Sequence, residues 1–94
     1  MSAYVIARVA VHDRLPYDRY AARFLPVLRQ YGGRLLSADE RPENLDGEDG
    51  RKVVLLAFDD REAALTWANS PEYQAIMEDR DAGAVVEAVL AAGV

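Results

Sequence analysis

Hydrophobic positions fall into two rhythms along this chain. From Ala3 to Val11 (AYVIARVAV) β-branched and small apolar residues run on without a breaker, the pattern of a strand. After a short turn at His12-Asp13-Arg14 the spacing becomes helical. Tyr17, Tyr20, Ala21, Phe24, Val27, Leu28 and Tyr31 share one side, and Asp18, Arg19, Arg23 and Arg29 the other. Pro16 suits the first position of this helix, where an N–H is not needed, and Gly32 stands where a left-handed cap closes it. Pro26 removes one helix hydrogen bond, so a kink or split is expected there.

A second strand follows at Gly33–Glu40, then the polar, acidic stretch Arg41–Gly50 (RPENLDGEDG), whose two glycines and one proline mark a mobile loop. Arg51–Asp59 (RKVVLLAFD) reads as a third strand. Asp59 or Asp60 can cap a helix with Ala64, Leu65, Trp67 and Ala68 as its apolar positions. Ser70-Pro71-Glu72 restarts that helix, with the serine as cap, the proline at the first position and the acid facing the dipole. Tyr73, Ile76, Met77 and Arg80 share its next face, Gly83 ends it, and Ala84–Ala92 (AVVEAVLAA) is a fourth strand.

Strand–helix–strand–strand–helix–strand is the split βαβ, or ferredoxin-like, α+β order, and it occupies residues 1–94 as one domain. In that topology the first and third strands lie in the middle of an antiparallel sheet. Both are apolar on both faces: Val5, Ala7 and Val9 against Tyr4, Ile6 and Ala10 in the first, Val53, Leu55 and Ala57 against Val54, Leu56 and Phe58 in the third. Two helices cover one face only, and a half-solvated antiparallel sheet should alternate apolar with polar. A second copy of the chain is the expected cover for the other face, giving a homodimeric α/β barrel.

Composition narrows the function classes. The chain is 51% hydrophobic and 29% charged, with no apolar run near membrane length, so neither disorder nor a membrane span is expected. A net charge of −5, from 16 acids against 11 bases, disfavours nucleic acid or an anionic membrane as partner. The absence of cysteine excludes disulfides, thiolate metal sites and cysteine nucleophiles. The opening MSAYVIARV carries no basic leader or cleavage signal, so a cytoplasmic protein is expected. No phosphate loop, GxSxG, HExxH or dinucleotide fingerprint is present, and no metal or other cofactor is expected.

Single residues remain as candidates for chemistry. His12 is the only histidine and lies at a strand end, a position for acid–base work; its plainer reading is a solvated turn residue beside Asp13. Arg80 shares an apolar helical face, so it must meet a carboxylate, a carbonyl or a ligand anion. It is either a clamp on a substrate carboxylate or a structural cation paired with Asp81, Glu43 or a helix end, and Arg8 and Arg34 pose the same question. Tyr17, Tyr20, Tyr31, Trp67 and Tyr73 are core aromatics on this reading, with Tyr20 and Tyr73 best placed to hydrogen-bond a bound carbonyl or enolate. Glu43 is a candidate general base if the acidic loop folds over a cleft, and otherwise a solvated acid.

Nearly the whole chain resembles the domain-of-unknown-function family 1330, within the dimeric α/β-barrel superfamily of ferredoxin-like proteins. The resemblance rests on Tyr4-Val5-Ile6-Ala7-Arg8, on Tyr17 and Tyr20, and on Tyr31-Gly32-Gly33-Arg34. It continues through Leu45-Asp46-Gly47, Phe58, Ala63-Ala64, Trp67 and, most specifically, Ser70-Pro71-Glu72-Tyr73-Gln74 with Arg80. Other branches of that superfamily look like cofactor-free monooxygenases, isomerases and haem-handling enzymes. The implied function is a pocket for a small, partly apolar, anionic molecule, with cofactor-free proton transfer or oxygenation if it is an enzyme. Arg80, Tyr20, Tyr73 and Trp67 would then hold the substrate, and His12 or Glu43 would act as base. The rival expectation is a non-catalytic homodimer whose interior is structural or merely binds a ligand.

Overall fold

A computed structural model describes residues 1–94. Seven elements follow one another: β1 (Ala3–Val11), α1 (Arg14–Gln30), β2 (Arg34–Asp39), β3 (Lys52–Phe58), α2 (Arg61–Ala68), α3 (Pro71–Gly83) and β4 (Ala84–Ala92). The four strands form one antiparallel sheet in the order β2-β3-β1-β4, so the two strands apolar on both faces are the central ones. This is the ferredoxin-like α+β fold expected from the element order. No helix is long and apolar enough to cross a membrane.

Two details of α1 differ from the sequence expectation. The helix begins at Arg14, capped by Asp13, whose Oδ1 accepts from the Leu15 N–H at 3.2 Å. Pro16 therefore sits in the third helical position, still within the first turn, where its missing N–H costs nothing. Pro26 does not split the helix into two elements. It and Ala22, the residue whose carbonyl it leaves unpaired, are both exposed, so water replaces the lost bond. Gly32 closes the helix at φ +77°, and the Gly33 N–H donates to the Leu28 carbonyl at 2.9 Å.

Asp60 caps α2 through its Oδ1 and the Ala63 N–H, 2.8 Å apart. The Ser70 hydroxyl ends α2 and starts α3 together: it donates to the Trp67 carbonyl at 2.7 Å and accepts from the Tyr73 N–H at 3.1 Å. That bifunctional serine fixes the angle between the two helices and hence the position of Trp67 relative to Tyr73. At the far end of α3 the Gly83 carbonyl accepts from the His12 and Asp13 N–H groups at 2.9 and 3.1 Å, tying α3 to the start of α1.

Strand alternation sends Val5, Ala7 and Val9, with Lys52, Val54, Leu56 and Phe58, toward the helices. Tyr4, Ile6 and Arg8, with Val53, Leu55 and Ala57, face the other way, where no helix packs. The molecule measures about 32 × 31 × 15 Å, the depth of one sheet and one helix layer. On the open face Ile6 is 37% exposed, between its strand partners Leu55 and Val89, the latter 62% exposed. Arg8 lies opposite Glu87 one pair further along.

The acidic loop 41–50 is pinned on that open side. Arg8 donates to Asp49, and Arg51 binds Asp49 at 2.8 Å and Glu87 at 2.8 Å. The Arg51 side chain, its backbone N–H and then Arg8 together hold the Asp49 carboxyl well below the usual carboxylate range. The loop is therefore anchored against the sheet face opposite the helices.

Candidate functional site

Between the helix layer and the sheet lies a cavity of about 490 Å³. It exists because α1 pairs with α3 rather than settling on the strands. Arg19 of α1 binds Asp79 of α3 at 3.0 Å, Gln30 reaches Glu72 at 3.3 Å, and the Tyr31 hydroxyl donates to the same Glu72. That phenol is the main reason the Glu72 pKa is lowered. The reciprocal bond raises the Tyr31 pKa.

Of the 25 residues lining the cavity, 21 are hydrophobic; the other four are Lys52, Asn69, Gln74 and Arg80. The two charged groups are thus both cations, in a chain whose net charge is −5. No Asp, Glu or His belongs to the wall. Nor does any group of three or more His, Cys, Asp or Glu stand together as a metal site.

A line of polar contacts crosses the buried aromatic wall. One Arg80 guanidinium nitrogen (Nη1) donates to the Tyr73 hydroxyl at 3.2 Å, and the Tyr73 and Tyr20 hydroxyls are 2.9 Å apart. Arginine has no acceptor, so Arg80 donates to the Tyr73 oxygen, and either phenol can donate across the Tyr20–Tyr73 contact. Burial, reinforced by Tyr73 and only partly opposed by Arg80, pushes the Tyr20 pKa far above its ordinary value. Tyr20 therefore stays protonated across the physiological range.

Arg80 also donates to Asp81 at 2.9 Å through Nε. Burial works against its charge, but the Tyr73 and Asp81 contacts outweigh it and its pKa is raised. Both readings of Arg80 are thus present: an ion pair with its neighbour, and a cation on the cavity wall.

Trp67 packs at the other side of Tyr73, ring centroids 4.2 Å apart, with Phe24 edge-on at 6.2 Å and Phe58 at 5.4 Å. Its indole is buried, and its Nε1 is the one buried side-chain polar atom of the chain with no hydrogen-bond partner.

Four of the sequence candidates, Tyr20, Trp67, Tyr73 and Arg80, therefore meet on one cavity wall. His12 and Glu43 do not. His12 is exposed at the start of α1, and Glu43 is exposed in the loop anchored toward the open sheet face, away from the cleft it was expected to close over. Arg8 and Arg34 also point elsewhere, Arg8 to Asp49 and Arg34 to Asp59 at 3.3 Å. Lys52 escaped the sequence reading. Its Nζ lies 3.4 Å from the Tyr17 hydroxyl and 3.4 Å from Glu40, with 15% of the side chain exposed. Its signal was present: Lys52 shares the phase of Val54, Leu56 and Phe58, which puts it on the helix-facing side of β3.

Fold and wall together define a small ferredoxin-like protein with an apolar, cation-bearing cavity beneath its helices. Residues 2–94 match the model of the family described as Domain of unknown function (DUF1330), and the chain belongs to that family. No curated protein matches it. Among solved structures it is similar to a protein of unknown function from Rhodopseudomonas palustris, with a TM-score of 0.82 at 15% identity over 99% of this chain and 82% of that one. It is also similar to SnoaB, a cofactor-independent oxygenase from Streptomyces nogalater, with a TM-score of 0.65 at 16% identity over 99% and 93%. A de novo designed protein, Foldit4, is similar to the same degree: 0.65 at 16% identity over the full length of both chains. Likeness at these identities shows the fold alone.

Proposed function

We propose that this protein binds a small, mainly apolar organic anion in the cavity between helices and sheet, and does so as a homodimer. The observation that carries the ligand class is the wall itself: 21 apolar residues, and Lys52 and Arg80 as its only charges. Each cation already has a carboxylate partner, Arg80 with Asp81 at 2.9 Å and Lys52 with Glu40 at 3.4 Å, and an incoming carboxylate adds a second charge-assisted contact inside the cavity. The cavity also falls within the roughly 300–1,000 Å³ typical of small-molecule sites. In this reading Arg80 and Lys52 neutralise the anionic head, and the aromatic wall of Phe24 and Trp67 takes the apolar body.

Binding is favoured here over catalysis by a base on this chain, because no carboxylate or imidazole reaches the cavity. Accordingly His12 and Glu43 receive no catalytic role. The similarity to a cofactor-independent oxygenase adds an activity to test and no residue to assign.

The partner reading rests on the uncovered face. Ile6, Leu55 and Val89 form an apolar strip across three strands, beside Arg8 and Glu87 of opposite sign. A face with both charge signs and an apolar centre is self-complementary under a two-fold axis, so a second copy of this chain is its occupant.

The test titrates 4-phenylbutyrate and, separately, 4-phenylbutylammonium, following the fluorescence of Trp67, the only tryptophan. The acid is expected to saturate the signal and the amine to leave it unchanged. Hydrogen bonds to charged groups contribute about 1.5–3 kcal/mol, so the double variant Lys52→Met/Arg80→Met should lose roughly tenfold or more in affinity for the acid. Equal binding of acid and amine, or unchanged affinity in a folded double variant, overturns the proposal.

A further inference from the structure

The cavity has a charged end and an aliphatic end. Lys52 opens β3, where it pairs with Val9 and reaches the Tyr17 hydroxyl of α1 at 3.4 Å. Arg80 lies in the last turn of α3, just before Gly83, whose carbonyl is bound to His12 and Asp13 at the start of α1. Both cations therefore stand where α1 begins. Further along β3, about 13 Å from Lys52 at the usual strand rise, Leu56 pairs with Leu35 of the edge strand β2. Val5 and Leu90 lie beside them on the wall, and no charged residue does. Leu35 lines the cavity and is nevertheless 38% exposed, so the apolar wall runs out to the surface there. It also borders a second space, of about 400 Å³, between the end of α1 and β2, together with Leu25, Leu28, Arg29, Gly33 and Arg34. Leu35 is the one residue common to the two.

From this geometry we infer that the anion bound here is a single-chain acid, a carboxylate on a flexible alkyl chain that outruns the cavity. Its head lies against Lys52 and Arg80, and its chain follows β3 toward Leu56. The chain end then crosses Leu35 into the groove beside α1. A path that passes from one space to another over a single side chain suits a flexible chain better than a rigid ring system. The wall agrees: apart from Tyr17, Tyr20, Phe24, Trp67 and Tyr73, its apolar members are aliphatic. A chain lying over Leu35 also takes that leucine out of water, so ligand and protein bury apolar surface together. The inference deepens the anion-binding reading above and rests on it.

The test is a series of straight-chain acids, octanoate, dodecanoate and hexadecanoate, each below its micelle concentration, beside 4-phenylbutyrate. A methylene taken out of water contributes about fourfold in affinity, so each longer acid should bind at least roughly tenfold more tightly than the one before. Adsorption to the open sheet face would also grow with length, so two further readouts locate the chain. Lys52→Met/Arg80→Met should weaken all three acids by the same factor, because the head contact is common to them. On protein with ¹³C-labelled leucine methyls, a stearate bearing a nitroxide near its methyl end should broaden Leu35, Leu25 and Leu28. A nitroxide near the carboxylate should leave those three sharper. If affinity stops rising at octanoate while 4-phenylbutyrate binds, the chain inference is overturned and the anion-binding cavity stands. Broadening at Leu55 on the open face in place of Leu35 overturns it as well. If no acid binds, 4-phenylbutyrate included, the cavity reading falls and the chain inference with it. The length series and the nitroxide readout use the unmodified chain, so neither depends on a variant folding.

Discussion

Replacing Tyr73 by Phe keeps the ring that packs on Trp67 and removes one oxygen. That oxygen accepts from Arg80 at 3.2 Å and is 2.9 Å from the Tyr20 hydroxyl. Arg80 retains Asp81 at 2.9 Å, so its loss is partial. Tyr20 is 7% exposed and has no other hydrogen-bond partner on its hydroxyl, which becomes an orphan. An unsatisfied buried polar group costs about 1–3 kcal/mol. In a domain of this size each kcal/mol lowers Tm by about 4–8 °C, so the variant should melt roughly 4–24 °C below the parent.

The reciprocal variant behaves differently. In Tyr20→Phe the Tyr73 hydroxyl still has Arg80, and only the net value of one hydrogen bond, about 0.5–1.5 kcal/mol, is lost. Tyr20→Phe should therefore be the milder change. The double variant removes both hydroxyls together and leaves no orphan phenol, so it should be more stable than Tyr73→Phe alone. Urea unfolding at one fixed protein concentration, followed by Trp67 fluorescence and far-ultraviolet circular dichroism, measures all three. Equal costs for the two single variants, or a double variant as unstable as their sum, would refute a relay that runs from Arg80 through Tyr73 to a buried Tyr20. A near-zero cost for Tyr73→Phe would mean that water enters the cavity freely and satisfies Tyr20.

Ile6→Lys places a charge at the centre of the open sheet face; sedimentation velocity should show a dimer for the parent and a monomer for the variant, and a parent that sediments as a monomer removes the partner reading. The Tyr31 hydroxyl lowers the Glu72 pKa, so its contribution to stability is present above the ordinary carboxylate value of 4.5 and is lost as pH falls through the depressed one. Tyr31→Phe should thus lower Tm at pH 7 and flatten its fall between about pH 5 and pH 3, where an unchanged acid slope would show that Tyr31 does not control Glu72. Gly83→Ala puts a methyl 2.5 Å from the Asp13 carbonyl oxygen and 2.6 Å from the Tyr17 nitrogen, both backbone atoms that cannot swing aside. Overpacking of that kind costs about 1–3 kcal/mol, so thermal melting should show Tm lower by roughly 4–24 °C, and an unshifted Tm would mean that the α1–α3 junction gives way without cost.

Strands and caps were legible because each is written locally. The runs Ala3–Val11 and Ala84–Ala92, apolar but for Arg8 and Glu87, delimit β1 and β4 to the residue, and Ser70-Pro71-Glu72 marks the start of α3. Pro26 misled because the cost of a helix proline depends on whether water reaches the freed carbonyl, and that is a tertiary fact. Tyr20, Trp67, Tyr73 and Arg80 were legible as a set because helical spacing turns all of them toward the sheet. Their meeting across 53 residues, through the hydroxyls of Tyr20 and Tyr73, was not. Lys52 was hidden by its neighbour Arg51: two adjacent cations at a strand start look alike in sequence, yet alternation sends Lys52 to the cavity and Arg51 to Asp49 and Glu87 on the open side. The acidic loop went the other way from the cleft for the same reason, since its anchor Arg8 has the outward phase of β1.

The fold cannot choose a function for this chain, because an oxygenase and a designed protein share it to the same degree, at a TM-score of 0.65 and 16% identity each. What remains to decide is the wall of the cavity, and its chemistry points one way. Tyr20 is held protonated, Trp67 has no partner, and Lys52 and Arg80 bring positive charge. Such a wall stabilises an anion it receives; within one chain it holds no group to create that anion by taking a proton. If turnover occurs here, the substrate must arrive already ionised, with Lys52 and Arg80 stabilising its charge as it moves.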